Sequence, residues 1–485
     1  MIHGLRAWMV PAALAAVVLG GCAIGPDYKR PPVTPPDAFR GQVSAGEVAS
    51  LADAPWWEAF RDPVLNGLIQ EALAGNYDVR IAAARVQNAR AQAVVARAPF
   101  FPQLGYGANA ARSKGLGNIL GLPGSSSDES SLYLGGISMS WEIDLWGKIR
   151  RLSEAASARL LASEEGRRAV LLSLLSDVAQ GYFELLQLDA RVTIARQSTE
   201  AYQGTYNLFK DRLQFGVASE LQTSRAEGAL AQAAASIPEL ESQIAAKENQ
   251  ISTLLGRNPG PIPRGTPLFD QAVTPTVPAG LPSALLERRP DLRRAEQELV
   301  AANANVGVAV ANFYPTISLT GAFGGVAPEL AGLFGAGRSW SLGGGLLSPV
   351  LQGRRLEAQH RVAVAQWEEA KVQYERSVNN AFSEVATALV AYQKLAGVES
   401  EQARAVTVNR EAVRLSNQRY LAGRSDYLEV LQAEQQQFAA ENAVAQTHFN
   451  RLASLVQLYK ALGGGWQLSD QQWARREAAV APSSR

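Results

Sequence analysis

The sequence predicts an α+β membrane protein with a two-fold internal repeat, built from long helices and four short strands per chain. Three observations carry this prediction. One order of segments recurs at a nearly fixed spacing across the 485 residues. Each half contains helix-forming runs far longer than an ordinary globular helix, and each half interrupts those runs with a pair of segments of period two, the pattern of a half-exposed strand.

The chain starts with a short basic stretch, residues 1–6, then an apolar segment, 7–19, then Leu19-Gly20-Gly21-Cys22. This is the layout of a secretory signal over residues 1–21. Cys22 is the only cysteine, so it forms no internal disulfide. Its place directly after two glycines resembles a bacterial lipobox, in which cleavage leaves an acylated cysteine at the N-terminus. More than one acyl chain is needed there, because a single chain binds membranes only marginally. Lipoproteins kept in the inner membrane usually carry Asp after the cysteine; Ala23 at this position points to the outer membrane.

Beyond the signal, no apolar run approaches the roughly 20 residues of a membrane-spanning helix, which excludes a helical inner-membrane transporter. The 46 Lys and Arg against 45 Asp and Glu, evenly mixed, leave no basic footprint for nucleic acid. His3 lies in the signal, while His360 and His448 stand alone in helical sequence. Neither a metal cluster nor a catalytic triad can be assembled from them, so no cofactor and no enzyme activity are expected.

The repeat organises the rest. Arg212-Leu213-Gln214-Phe215-Gly216 returns in outline as Arg419-Tyr420-Leu421-Ala422-Gly423, 207 positions on (419 minus 212). The same spacing carries Leu255-Gly256 onto Leu462-Gly463, and a spacing of 213 (312 minus 99) carries Pro99-Phe100-Phe101-Pro102 onto Asn312-Phe313-Tyr314-Pro315. The resulting map has a tether and equatorial segment at 22–60, a first repeat at 61–256 and a Pro-rich connector at 257–283 that cannot continue a helix. A second repeat follows at 284–465 and a polar, Ala-rich tail at 466–485.

Helices come from Ala-, Leu-, Glu-, Gln- and Arg-rich runs, all good helix formers. Residues 145–212 hold no proline, and neither does the matching run 352–420. At 1.5 Å per residue such a run reaches roughly 100 Å, which implies a bundle or coiled coil.

Strands are expected near 100–112, 132–144, 313–323 and 339–347. In the first, Leu104, Tyr106, Ala108 and Ala110 alternate with Gln103, Gly105, Gly107 and Asn109. In the second, Ile137, Met139, Trp141 and Ile143 alternate with Gly136, Ser138, Ser140 and Glu142. Ile317, Leu319 and Phe323, then Trp340, Leu342 and Leu346, supply the apolar faces of the other two. About 9–11 residues with one apolar and one small or polar face is the signature of a strand in an outer-membrane barrel.

Four strands cannot close a barrel, and an open edge in lipid leaves backbone groups unsatisfied at several kcal/mol each. The chain must therefore oligomerise. A dimer supplies eight strands and a trimer twelve, and only the larger number leaves an open lumen, since eight strands fill with side chains.

At this point a family resemblance enters. Residues 22–31, Cys-Ala-Ile-Gly-Pro-Asp-Tyr-Lys-Arg-Pro, then Trp56-Trp57 with Phe60 and Asp62-Pro63, then residues 140–147, Ser-Trp-Glu-Ile-Asp-Leu-Trp-Gly, resemble the OprM/NodT lipoprotein branch of TolC-type outer-membrane factors. The likeness spans nearly the whole mature chain. It implies a homotrimer in which a twelve-stranded transmembrane β-barrel, completed by trimerisation, continues into a long α-helical barrel across the periplasm. It further implies a passive export duct for small molecules such as drugs, working with a periplasmic adaptor (membrane fusion) protein and an inner-membrane transporter of the resistance-nodulation-division (RND) type.

A passive duct needs no catalytic residues, so the functional positions are those that anchor or narrow it. The turns farthest from the strands, 215–220 and 422–427, are the candidate periplasmic tip, and Gly216 and Gly423 suit a sharp reversal with positive φ. The resemblance implies closure by inward side chains and acidic rings. Here the acid falls at Asp426, beside Ser425, where relatives carry one. Three copies of Asp426 are expected to favour cations, with Arg419, Arg424 and Tyr427 holding the entrance shut; as the other reading, these are capping or surface residues of an exposed turn. A cell-envelope scaffold lipoprotein is the competing function, separated from a duct by whether the strands enter a membrane.

Overall fold

The computed structural model describes residues 23–41, 56–114, 129–271, 285–335 and 337–464. The expected signal peptide, Cys22, the tail at 466–485 and parts of the tether and connector lie outside the described residues. The chain divides into two compact units, one drawn from residues up to Pro32 with Arg85–Glu164 and Arg294–Tyr374, the other from Val33–Ala84, Glu165–Arg293 and Glu375 onward.

The order of elements repeats. Helices α1 (Pro63–Gly75) and α2 (Tyr77–Arg97) lead into strands β1 (Gln103–Lys114) and β2 (Glu129–Ile143), then α3 (Lys148–Gln214) and α4 (Glu220–Leu254). The second half gives α5 (Leu285–Arg288), α6 (Pro290–Ala311), β3 (Thr316–Ala327), β4 (Arg338–Leu347), α7 (Arg355–Leu421) and α8 (Tyr427–Ala461). Helices α3 and α7 are both 67 residues long and α4 and α8 both 35, so the 207-residue spacing read from the sequence is a spacing of whole elements.

The first unit holds one antiparallel sheet in the order β1-β2-β3-β4. β2 and β3 pair directly from Ile143↔Ile317 to Tyr133↔Ala327, which joins the two halves of the repeat in one ladder. Ala155, Ala158, Ala301 and Ala304 pack α3 against α6 in this unit, small side chains that let the two backbones approach closely.

The second unit is helical around an aromatic and aliphatic core. Trp56 is 1% exposed and stacks on Tyr459 at 5.5 Å, while Phe60 meets Phe183 at 4.8 Å. Leu65, Ile69, Val178 and Val456 are fully buried among them, and each such aliphatic side chain contributes about 1.5–3 kcal/mol by leaving water.

Asp62, itself fully buried, ties this core to the connector. Its Oδ1 accepts from the amides of Val64 and Leu65, starting α1, and its Oδ2 accepts from Tyr182, from the Thr266 amide and from Gln271. The carboxylate pushes the Tyr182 hydroxyl up, adding to the larger effect of burial.

One expectation needs correction. α3 does contain an 18-residue stretch as apolar as a membrane span, but 67% of it is buried inside the structure. Leu171, Leu174, Leu175, Val178 and Tyr182 belong to the core, and it is protein rather than lipid that covers this apolar surface.

Candidate functional site

Strand register decides what the sheet can do. With Tyr106 opposite Ile137, Ile137 opposite Phe323, and Phe323 opposite Trp340, the apolar positions of all four strands fall on one continuous face. Asn109, Ser138, Ser140, Thr320, Ser341 and Gly343 occupy the other, where β2 departs from the pattern at Leu132 and Leu134, near its loop end. On the apolar face Tyr106 is 93% exposed, Trp340 76% and Leu342 74%, and together they make the kind of contiguous apolar surface that a transmembrane β-barrel turns to lipid. β1 and β4 are the outer strands, each with a ladder edge that no strand among the described residues pairs.

At the helix end of the sheet, aromatic side chains form a belt. Trp141 donates to the Phe100 carbonyl at 3.1 Å, and Trp146 donates to the Pro315 carbonyl at 2.7 Å while its ring lies 4.9 Å from Tyr314. Rings with a hydrophobic body and one satisfied polar edge suit the boundary between hydrocarbon and water.

The segment from Ala23 is strapped to the same level. The Ile24 amide donates to the Trp146 carbonyl at 3.1 Å. Arg151 reaches Asp27 at 2.7 Å, Arg30 reaches Glu296 at 2.5 Å, and Asn303 donates to the Pro26 carbonyl at 2.9 Å. Glu296 also takes the Tyr28 hydroxyl, which burial chiefly, and this carboxylate next, push up. Cys22, the expected lipidation site, immediately precedes this strapped segment in the sequence.

At the other candidate site, in the second unit, the two turns have the same construction. Gly216 has φ +71° and Gly423 φ +67°, the left-handed conformation that favours glycine. Around Gly216 the Val217 amide bonds back to Arg212 at 2.8 Å and the Gly216 amide to Leu213 at 3.0 Å; around Gly423 the corresponding bonds, Arg424 to Arg419 and Gly423 to Tyr420, are both 2.9 Å. This double bond satisfies carbonyls that a helix end would otherwise leave open.

The side chains then break the symmetry. Ser219 caps α4 and forms a reciprocal box with Gln222. Its repeat mate Asp426 starts α8 without capping it; Asp426 is exposed, and its Oδ1 accepts from Gln222 at 3.3 Å. Arg419 and Glu429, both about half-exposed, lie 3.6 Å apart, a surface pair worth roughly 0–1 kcal/mol. Arg424 is exposed. Tyr427 is 4% exposed: its ring packs on Phe209 at 4.2 Å and Tyr420 at 5.6 Å, inside a cluster with Tyr202 and Val430.

Sequence reasoning named six residues here, Gly216, Arg419, Gly423, Arg424, Asp426 and Tyr427, and missed three. Arg212 lies over the Tyr420 ring at 5.0 Å and donates to its hydroxyl, joining the ends of α3 and α7. Nothing local signals that pairing, because the partners are 208 positions apart. The third, Glu434, stands on α8 beside Tyr427 with its Oε2 buried and lacking a hydrogen-bond partner among the described residues. Burial pushes its carboxyl up to about 7, against a smaller opposing effect of the Tyr427 hydroxyl.

His448 is buried on α8 with Nδ1 2.5 Å from Glu399, which also takes Arg451 at 2.7 Å. Burial would raise Glu399, but His448 and Arg451 together outweigh it and hold the carboxyl below its ordinary range. The cluster joins α7 to α8.

The family described as outer membrane efflux protein matches residues 68–257 and 281–464. The cation efflux system protein CusC of Escherichia coli is 34% identical over 93% of this chain and 97% of its own length. The toluene efflux pump outer membrane protein TtgI of Pseudomonas putida is 36% identical over 94% of this chain and 98% of its own length. Among solved structures, the outer-membrane channel OprN superposes with a TM-score of 0.85 at 34% identity, covering 92% of this chain and 100% of that one. The open-state MtrE channel of Neisseria gonorrhoeae gives 0.82 at 33% identity, covering 92% and 98%.

Proposed function

The chain belongs to the outer membrane efflux protein family, and from that premise we propose that three copies form one exit duct of a tripartite pump. The protein is an outer-membrane channel of an efflux system, placed in the outer membrane and extending into the periplasm. What supports the trimer is the sheet: one face is mainly apolar, the other mainly small and polar, and among the described residues no strand pairs the outer edges of β1 and β4. Twelve strands from three chains close that ladder and leave a hydrophilic lumen.

The working partners in this reading are a periplasmic adaptor and an inner-membrane transporter of the RND type. Cargo passes down the duct without a chemical step. Selectivity therefore lies upstream, in keeping with relatives of similar identity whose names specify cargoes as different as cations and toluene. Cys22 carries the acyl chains, and the strap from Ala23 to Arg30 keeps that anchor near the aromatic belt. The turns around Gly216 and Gly423 form the periplasmic tip. Asp426 sets its charge, Arg419 and Arg424 contribute surface contacts, and Tyr427 braces the wall from inside.

The test is reconstitution of the full chain in planar bilayers. Stable ion-conducting steps in lipid, absent from protein-free membranes, are the expected result; an intact, membrane-bound assembly that never conducts would assign the chain to a scaffold.

A further inference from the structure

The turn between β3 and β4 folds back onto the apolar face of the sheet. Its core is a short 3-10 helix, Leu330–Phe334. Leu333 is 9% exposed and sits over Gly135 of β2 and Gly325 of β3, which are paired across the ladder. A Cβ added at Gly325 would come within 2.2 Å of the Leu333 carbonyl oxygen, so the turn rests with its backbone directly on the strand. That Cβ direction belongs to the face of Ile137, Phe323 and Trp340, the lipid-facing side. Ala327, on the same face, is 4% exposed, and a Cβ at Gly332 would lie 3.0 Å from its methyl group.

Having covered these residues, the turn exposes its own. Phe334 is 86% exposed and Leu330 63%. A neighbouring copy joins at β1 or β4, whereas Leu333 lies over β2 and β3, away from both edges. What meets Phe334 and Leu330 is continuous with what meets Phe323 and Trp340. Arg338, opposite Gly325 on the same face, opens β4 at the rim, where an arginine reaches lipid phosphates.

Resting on the reading of the sheet as part of a transmembrane barrel, we propose that the turn at Leu330–Phe334 forms an external membrane anchor, offering Leu330 and Phe334 to outer-leaflet acyl chains and Arg338 to the phosphate groups above them. Such an anchor fixes the height of the barrel in the leaflet and leaves its outer mouth clear.

A nitroxide at Phe334→Cys in the reconstituted full-length assembly tests this, with collision by oxygen and by a water-soluble nickel chelate as the readouts. Leu342→Cys reports the lipid face and Ser341→Cys the lumen; the wild-type chain, whose one cysteine is Cys22, carried through the same labelling is the blank. In vesicles of phosphatidylcholine with bisphosphorylated lipid A, the label at 334 is expected to prefer oxygen, as at 342. Adding Gly325→Val, which cannot accommodate the Leu333 backbone, should move the 334 label into water and leave 342 unchanged. A label at 334 that behaves like 341 while 342 stays in lipid would overturn the anchor alone. Failure of 342 to prefer oxygen would remove the membrane placement of the sheet as well.

Discussion

The guanidinium of Arg212, on the last turn of α3, stacks 5.0 Å from the centroid of the Tyr420 ring on the last turn of α7 and donates to its hydroxyl. The contact joins the ends of two 67-residue helices that are repeat mates. Both residues are half-buried, and a stacked, hydrogen-bonded pair of this kind is worth about 1–2 kcal/mol.

Arg212→Ala removes both the stack and the hydrogen bond. If the tip is the gate, its open probability in planar bilayers rises about tenfold, the equivalent of about 1.4 kcal/mol. Tyr420→Phe, which keeps the ring, should give a smaller rise. Unchanged gating in both variants would take the pair out of the closing mechanism.

Asp426→Ala tests charge rather than closure. The acid is exposed and does not cap its helix, so little folding energy rides on it. Reversal potentials under a salt gradient should show a reduced cation preference with helix content unaltered. The same preference in wild type and variant would leave Asp426 a surface residue of the turn.

Glu434 is expected to give the helix around Tyr427 a pH response. Its carboxyl titrates at about 7 in the fold against an ordinary 4.5. Because the folded value is the higher one, its favourable contribution is complete below about pH 4.5 and is lost as pH rises through 7. Allowing for partial solvent access, the loss is roughly 2 kcal/mol. Hydrogen exchange along residues 427–438 should therefore quicken between pH 5 and 8 beyond the intrinsic rate, and Glu434→Gln should abolish the excess. A variant that retains the full pH dependence would assign it to another group.

Asp62→Asn probes the joint between core and connector. An amide cannot accept at both positions where the carboxylate receives five donors, and a cost of about 3–5 kcal/mol follows from the unsatisfied buried groups. Exchange protection at residues 262–271 should fall first. Wild-type protection there would show that the connector is held by its apolar contacts alone.

Much of this was legible in the sequence. Spacings of 207 and 213 foretold the matched helices, period-two alternation gave the correct faces for all four strands, and Gly216 and Gly423 marked both reversals. What escaped depends on partners distant along the chain. The direct pairing of β2 with β3 brings together residues 174 or more positions apart (317 minus 143), and no local pattern encodes a register of that kind. From sequence, Tyr427 is either a contact closing the entrance or a surface residue of the turn; its burial against Phe209 on another helix is not legible there. Gly324 and Gly325 lie beyond the strand expected near 313–323, and what they accommodate is fixed by the distant turn at 330–334, which lies on Gly135 and Gly325.

Native mass spectrometry of the full-length chain, gently extracted from outer membranes, bears most directly on the claim that separate chains complete one barrel. The expected spectrum is dominated by an assembly of three chains that retains bound lipid. A monomer or a closed dimer as the stable species would contradict the account, since four strands leave open edges and eight leave no lumen.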